Sequence, residues 1–161
     1  MLMRLVILLI AVFVATGSAQ AAKPAAVFDI ELVDTSGEGE RPGQKERIAA
    51  TTETLRRTLT ESGQYQPIDL NPVADRIAAL GYQRSCVQCM LDIARDLGAE
   101  VVVTGAVHKV SSLILSMEIN VRQVTDGRII AQGMADIRGD NDRAWQRGAE
   151  WLVRNRITKS G

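Results

Sequence analysis

The sequence predicts an α/β (α+β) domain built on a five-stranded mixed sheet with three to four helices, in the order β-α-β-α-α-β-β-β-α. Two patterns predict this class. Segments with helical spacing of apolar residues separate two early extended segments, which favours parallel strands joined by crossover helices. Three extended segments then follow one another in residues 99–138, and the Asp126-Gly127 pair before the last is typical of a tight antiparallel turn. Together the two patterns predict a sheet with both kinds of pairing.

The first half of the mature chain provides two strands and the helix between them. Residues 25–33 alternate in period two and carry two carboxylates, which predicts a strand with one partly solvated face. Residues 44–62 repeat apolar side chains at helical spacing and reach Gly63, where a helix stop is expected. Residues 65–70 read as a short strand, and Pro67 favours an edge position because proline cannot donate to a ladder.

Two helices are predicted before the three consecutive strands. Asn71 is suited to cap a short helix that ends at Gly81. The next helix is predicted to start at Ser85, which has the capping-box spacing to Gln88, and to stop at Gly98. In residues 113–121 the odd positions are apolar and the even ones include Ser116, Glu118 and Asn120, and in residues 128–138 the odd positions are apolar and mostly small. A final helix over residues 141–157 is predicted to pack on these small residues.

The first 21 residues have the pattern of a signal peptide. Arg4 provides a positive start, residues 5–15 are apolar, and Ala19-Gln20-Ala21 fits a cleavage site before Ala22. We therefore expect an exported protein, periplasmic in a host with two membranes and without membrane attachment after cleavage. An uncleaved N-terminal anchor is the alternative. Residues 22–161 have a length suited to one domain.

Charge and composition argue against nucleic acid as a partner. The chain has 19 basic and 19 acidic residues, so no overall field attracts phosphate, and only 4% of its residues are aromatic. No motif predicts a cofactor. An acidic loop holds Asp34, Glu38 and Glu40, which are weak candidates for a cation site because the pattern resembles a calcium loop. Lys45 stands where that loop requires a glutamate, so a solvated loop is the favoured interpretation.

Cys86 and Cys89 form a C-x-x-C pair at a predicted helix start. In an exported protein the favoured interpretation is a structural disulfide. A redox role is the alternative, because a helix N-terminus lowers the pKa of a thiol. Met90 replaces the histidine that covalent haem attachment requires, and two cysteines are too few for structural zinc. No catalytic constellation accompanies the pair, so an enzyme is the less favoured class.

A charge-laced sheet face is the candidate for binding a partner protein. An ordinary solvated face is the alternative interpretation of the same residues. The candidate residues are Asp29, Glu31, Glu118, Asn120, Arg122, Asp136 and Arg138.

Several stretches of the chain resemble a known group of domains. AAVFDIEL, SGQYQPID, IARDLGAEVVVTGAVHKV and LSMEINVRQVTDGRIIAQG resemble the N-terminal domain of TolB and periplasmic domains of the curli-export and lipoprotein-activator type, over residues 25–138. The whole chain also resembles short, uncharacterised secreted proteins that end in DIRGDND-x-x-W. These resemblances imply a non-enzymatic interaction or assembly module with an unknown periplasmic partner, serving an envelope or quinoprotein dehydrogenase system. The competing hypothesis is a thiol-disulfide accessory protein that uses Cys86 and Cys89.

Overall fold

The computed structural model describes residues 21–159. Its strands and helices are β1 (Lys23–Val27), β2 (Glu31–Asp34), α1 (Gln44–Glu61), β3 (Tyr65–Pro67), α2 (Ala74–Ala78), α3 (Val87–Asp96), β4 (Val101–Lys109), β5 (Leu115–Gln123), β6 (Ile129–Ile137) and α4 (Asp142–Leu152). The 3₁₀ turns Asn71–Val73 and Gln83–Ser85 precede α2 and α3, and the π-helical turn Val153–Ile157 continues α4. The predicted signal peptide lies outside the described residues except for Ala21. None of the described helices has both the length and the apolarity that crossing a bilayer requires.

All described strands belong to one mixed sheet with the order β3-β1-β4-β5-β6, and β2 lies beside β4. β1 is parallel to β3 and β4, whereas β4, β5 and β6 are antiparallel neighbours. The turn between β5 and β6 uses Gly127 at a φ of +71°, a conformation that favours glycine. The mixed sheet, the order of elements and the Asp126-Gly127 hairpin are therefore confirmed.

The sheet has six strands rather than the predicted five, because the first predicted strand is broken. Ala25 pairs with Val101, but Glu31 pairs with Ala106, so the first strand carries one more residue than β4 over this length. This extra residue makes a bulge between β1 and β2 and reverses the alternation of side chains there. As a result Phe28 and Ile30, expected on one face, join the cores on opposite faces of the sheet.

Two apolar cores form on the two faces of the sheet. The larger lies under α1 and α4 and includes Trp145, the odd-numbered side chains of β5 from Leu115 to Val121, and Leu55 and Leu59 of α1. The smaller lies under α2 and α3, around Phe28 and Val102. Because α3 packs near the start of β4, around Val102, the described residues leave the rest of this second face uncovered.

Candidate functional site

The part of the second sheet face that α3 leaves uncovered is called the open face here. The even-numbered residues of β5 point to it, and Ser116, Glu118, Asn120 and Arg122 are all partly exposed. Beside α3 the open face deepens into a cleft of about 190 Å³. Its polar lining includes Glu31, His108, Glu118, Asn120 and Arg122. Four of the seven predicted partner-binding residues therefore meet in one cleft.

Hydrogen bonds order the side chains on the floor of the cleft. The Asn120 amide donates to Glu118 at 2.7 Å, and Arg122 donates to the carbonyl of Gly127 at 3.0 Å. His108 Nε2 lies 3.8 Å from the other carboxylate oxygen of Glu118. The Asn120 Oδ1 atom is buried and accepts no hydrogen bond from the described residues. The floor thus keeps the Glu118 carboxylate and the His108 imidazole accessible for recognition.

Glu31 fixes one wall of the cleft. Its carboxylate accepts hydrogen bonds from the backbone N–H groups of Gln83 at 2.6 Å and Arg84 at 3.3 Å. The Arg84 guanidinium lies over the exposed ring of Tyr82, 4.7 Å from its centroid. Glu31 therefore anchors the turn that leads into α3, and Tyr82 directly precedes this turn.

The remaining predicted face residues lie elsewhere. Asp29 sits in the bulge after β1 and binds Arg56 of α1 at 2.8 Å, so it does not join the cleft. Asp136 is exposed on β6, opposite Ser116, and therefore extends the open face. Arg138 is exposed just beyond the end of β6. The strand break explains the position of Asp29, because alternation from the sequence alone places it beside Glu31.

Cys86 and Cys89 form a disulfide at the start of α3. The helix begins at Val87, and Cys86 is its N-cap, with its sulfur accepting a hydrogen bond from the Cys89 N–H at 3.2 Å. The expected capping box at Ser85 is therefore wrong, because a sulfur takes the capping position. Val87, in the first turn of α3, lines the cleft, so the disulfide stands beside the open face.

The acidic loop surrounds a buried lysine. Lys109, at the end of β4, is 1% exposed, and its ammonium lies 3.1 Å from Glu38, 3.3 Å from Asp140 and 3.4 Å from Asp34. Of the weak cation-site candidates, Asp34 and Glu38 thus face a lysine, while Glu40 lies 3.7 Å from Lys45. Within residues 21–159, no three His, Cys, Asp or Glu side chains are placed so that they could hold a metal ion together.

The carboxylates determine the protonation of this ionic cluster. Burial acts to lower the pKa of Lys109, but the three carboxylates outweigh it and raise that pKa. The pKa of Glu38 is lowered, chiefly by Lys109, and the pKa of Asp34 is lowered, chiefly by hydrogen bonds from Ser36. Lys109, Asp34 and Glu38 are therefore charged at neutral pH.

The D-N-D-x-x-W pattern, residues 140–145, adjoins the same ionic cluster. Asp140 binds Arg47 of α1 at 2.6 Å as well as Lys109, and Asp142 binds Arg47 at 2.7 Å. The Arg47 guanidinium also lies 5.7 Å from the ring of buried Trp145. Asn141 caps α4 by accepting from the Ala144 N–H at 3.0 Å. These contacts hold α4 against α1 and against the end of β4.

Sequence reasoning missed Lys109, although its position carried a signal. The odd-numbered residues of β4 face the larger core, and Lys109 continues that series at the end of the strand. A lysine at a buried strand position requires paired carboxylates. Two acidic loops, around residues 34–40 and 140–142, were available to supply them.

The tip of the β4–β5 hairpin exposes three aliphatic side chains. Val110 is 58%, Leu113 79% and Ile114 63% exposed. Leu113 was expected in the apolar face of the following strand, but β5 begins only at Leu115. The tip is nonetheless ordered, because Ser112 donates to Glu38 at 3.2 Å and accepts from the Asp140 N–H at 3.2 Å.

The sequence of nearly all the described residues matches a known protein family. The DUF3280 family, described as "Protein of unknown function (DUF2380)", matches residues 23–157. The chain belongs to this family. No curated protein shows significant similarity to it.

Solved structures support the fold of this family member. The LpoB C-terminal domain from Escherichia coli aligns with a TM-score of 0.55 and 22% identity, covering 76% of this chain and 87% of that chain. The PelC dodecamer from Paraburkholderia phytofirmans aligns with a TM-score of 0.52 and 16% identity, covering 84% and 88%. TolB from Acinetobacter baumannii gives a TM-score of 0.48 and 12% identity, covering 84% of this chain and 29% of that chain. The fold assignment rests on LpoB and PelC, and identities this low establish the fold alone.

Proposed function

We propose that this protein is an exported, periplasmic, non-enzymatic interaction module that binds a partner protein through its open face. The observation that carries the proposal is the cleft in which Glu118, Asn120 and Arg122 stay accessible while helices cover the opposite face of the same strands. A solvated face does not require an ordered floor such as the one that the Asn120–Glu118 hydrogen bond makes. A partner whose polar groups pair with the accessible Glu118 carboxylate and His108 imidazole fits this site.

Exposed apolar side chains beside the polar floor support protein binding. Tyr82, which directly precedes the cleft-lining residues Gln83 and Arg84, is 64% exposed, and Met134, paired with Glu118 across the β5–β6 ladder, is 59% exposed. Interfaces between proteins combine apolar and aromatic anchors with a few oriented polar groups. The open face has both.

The test is affinity purification from the envelope of the native host. Glu118→Arg and Arg122→Glu each reverse one charge of the open face, and Arg154→Glu reverses a charge 61% exposed beyond α4, on the opposite face. A partner should be retained by the unaltered protein and by Arg154→Glu but lost from both open-face variants. An unchanged set of bound proteins in all four samples would contradict the proposal.

The family resemblance supports a narrower version, in which the partner belongs to an envelope or quinoprotein dehydrogenase system. Mass spectrometry of the fraction retained by the unaltered protein and lost from Arg122→Glu tests this version. A dehydrogenase subunit in that fraction supports it. A partner from another system refutes it and leaves the interaction proposal standing.

A thiol-disulfide role is the second candidate, favoured by the Cys86–Cys89 disulfide at a helix start beside the cleft. Its test is the reduction potential of the pair. A value below about −300 mV identifies a structural disulfide, whereas a markedly more oxidising value supports exchange chemistry.

A further inference from the structure

The outer side of α4 and of the π-helical turn that follows it has a local excess of positive charge. Residues 143–159 contain five basic side chains and one acidic, Glu150, although the chain as a whole is neutral. The overall neutrality, which predicts no attraction to a charged surface, therefore conceals a basic region. The five basic side chains are all exposed and are called the basic ridge here: Arg143, Arg147, Arg154, Arg156 and Lys159.

The acidic side chains of α4 do not neutralise the basic ridge. Asp142 and Glu150 pair with arginines of α1, at 2.7 Å and 3.0 Å, so both carboxylates turn toward that helix. Arg154 lies 3.5 Å from Glu61, and water screens this exposed pair. The positive charge of the ridge therefore remains directed at the solvent.

An exposed tryptophan lies beside the basic ridge. Arg147, Trp151 and Arg154 are four and three residues apart, so they are neighbours on the helix surface. Trp151 is 45% exposed, and the Arg156 guanidinium lies 5.6 Å from the centroid of its ring. Tryptophan is enriched where a bilayer meets water, because its apolar ring and its polar N–H both find partners there. The ridge thus combines arginines with the aromatic side chain that suits a lipid headgroup region.

The start of the described chain lies at the same end of the domain as the end of the basic ridge. The Lys23 N–H donates to the carbonyl of Gln64 at 2.9 Å, and the Gln64 side-chain amide donates to the carbonyl of Thr158 at 2.9 Å. Residues 5–15 form the apolar segment of the predicted signal peptide. This end of the domain therefore faces a bilayer whenever that segment is attached.

We propose that the basic ridge and Trp151 bind the surface of an anionic phospholipid bilayer. The arginines pair with lipid phosphate groups, and the Trp151 ring enters the headgroup region. From Arg143 to Arg154 the row is about 16 Å long on the outer side of a helix, a shape that meets a flat surface. The nearby chain start favours a bilayer over an acidic protein. The binding is peripheral, through side chains and not through a span.

Binding to vesicles tests the inference. The protein purified from its native host is mixed with vesicles of phosphatidylcholine alone or of phosphatidylcholine with phosphatidylglycerol, and bound protein is separated by flotation. The readout is the ratio of the two affinities, so an apolar segment that is still attached contributes equally to both. The unaltered protein should bind the anionic vesicles about tenfold or more tightly, and added salt should reduce this ratio. A ratio near one overturns the inference.

Charge reversal provides the matched comparison. Arg143→Glu together with Arg147→Glu should lower the ratio about tenfold or more, because both charges lie near the lipid surface. The control is Arg76→Glu together with Arg138→Glu, which changes the net charge equally at exposed positions away from α4. A control that lowers the ratio as much as the ridge variant overturns the inference. An acidic protein retained by the ridge, together with a ratio near one, identifies a protein partner instead.

The fluorescence of Trp151 gives a signal that a protein partner does not imitate. Anionic vesicles with brominated acyl chains should quench the emission of the bound protein, because bromine quenches a ring that it contacts. Trp151→Phe should abolish this quenching, since the remaining tryptophan, Trp145, is fully buried. Quenching that persists in Trp151→Phe, or bound protein without quenching, contradicts the insertion of Trp151.

The inference does not depend on the proposed function. α4 and the open face lie on opposite faces of the sheet, so Glu118→Arg and Arg122→Glu should leave vesicle binding unchanged. The paired variant of Arg143 and Arg147 should in turn keep its partner protein. Loss of vesicle binding with intact partner binding, or the reverse, separates the two proposals.

Discussion

Replacing Lys109 with methionine should destabilise the protein strongly. Methionine fills the volume of the lysine stem in the core but removes the ammonium that lies 3.1 to 3.4 Å from three carboxylates. Removing one partner from a buried ion pair costs about 3–5 kcal/mol. Asp140 keeps Arg47 at 2.6 Å, and Asp34 and Glu38 are 21% and 27% exposed and can be hydrated. We therefore expect Lys109→Met to lower the free energy of unfolding by about 3 kcal/mol, the lower end of this range.

Urea unfolding at neutral pH measures this loss as a lower midpoint with an unchanged slope. Lys45→Met is the control, since Lys45 is 84% exposed and 3.7 Å from Glu40, and should change stability by less than about 0.5 kcal/mol. If Lys109→Met lowers the free energy of unfolding by less than about 1 kcal/mol, the reasoning is refuted, because removing the cation from a stabilising buried cluster must cost more than that.

The pH dependence gives an independent check on the same cluster. The folded pKa values of Asp34 and Glu38 lie below their ordinary values of 3.8 and 4.5. The stability that these two ionised carboxylates add to the folded protein is therefore complete above about pH 5. It is lost as the pH falls through their lowered folded pKa values. The difference between the unaltered protein and Lys109→Met should shrink in this acid range. A difference that stays constant down to pH 3 would show that the lysine acts through packing alone.

Three smaller changes should also alter stability, measured by urea unfolding. Gly133→Ala should lower the free energy of unfolding by about 1–3 kcal/mol, because the new β-carbon would lie 2.6 Å from the Cβ of Arg156. An unchanged stability would mean that the π-helical turn shifts to make room. Asn141→Ala removes the cap of α4 and should cost about 1 kcal/mol, whereas an unchanged midpoint would mean that solvent caps the helix equally well. Replacing Cys86 and Cys89 together with alanine should cost about 2 kcal/mol, and a negligible loss would argue against a structural role.

The strands after Gly98 were predictable because their alternation is regular and the Asp126-Gly127 turn is local. The failures lie where an extra residue interrupts a pattern. Period two cannot reveal the bulge between β1 and β2, because β4 imposes it through pairing that the sequence does not display. That bulge is why Asp29 joins Arg56 rather than Glu31.

The candidate site also has residues that the sequence groups correctly and residues that only the fold brings together. Glu118, Asn120 and Arg122 share a face because they alternate along one strand, so the sequence is sufficient to group them. Glu31 joins them through its pairing beside β4 and its bonds to Gln83, and Lys109 gathers carboxylates from distant loops. Both depend on contacts between segments far apart in the chain.

Site-resolved photo-crosslinking in living cells of the native host tests the central claim most directly. A photoreactive residue at His108, which is 42% exposed on the open face, is compared with one at Arg154, which is 61% exposed on the opposite side. The proposed function predicts a discrete protein adduct from position 108 that Arg122→Glu abolishes, and none from position 154. Adducts from position 154 alone, or an adduct at position 108 that persists in Arg122→Glu, would contradict it.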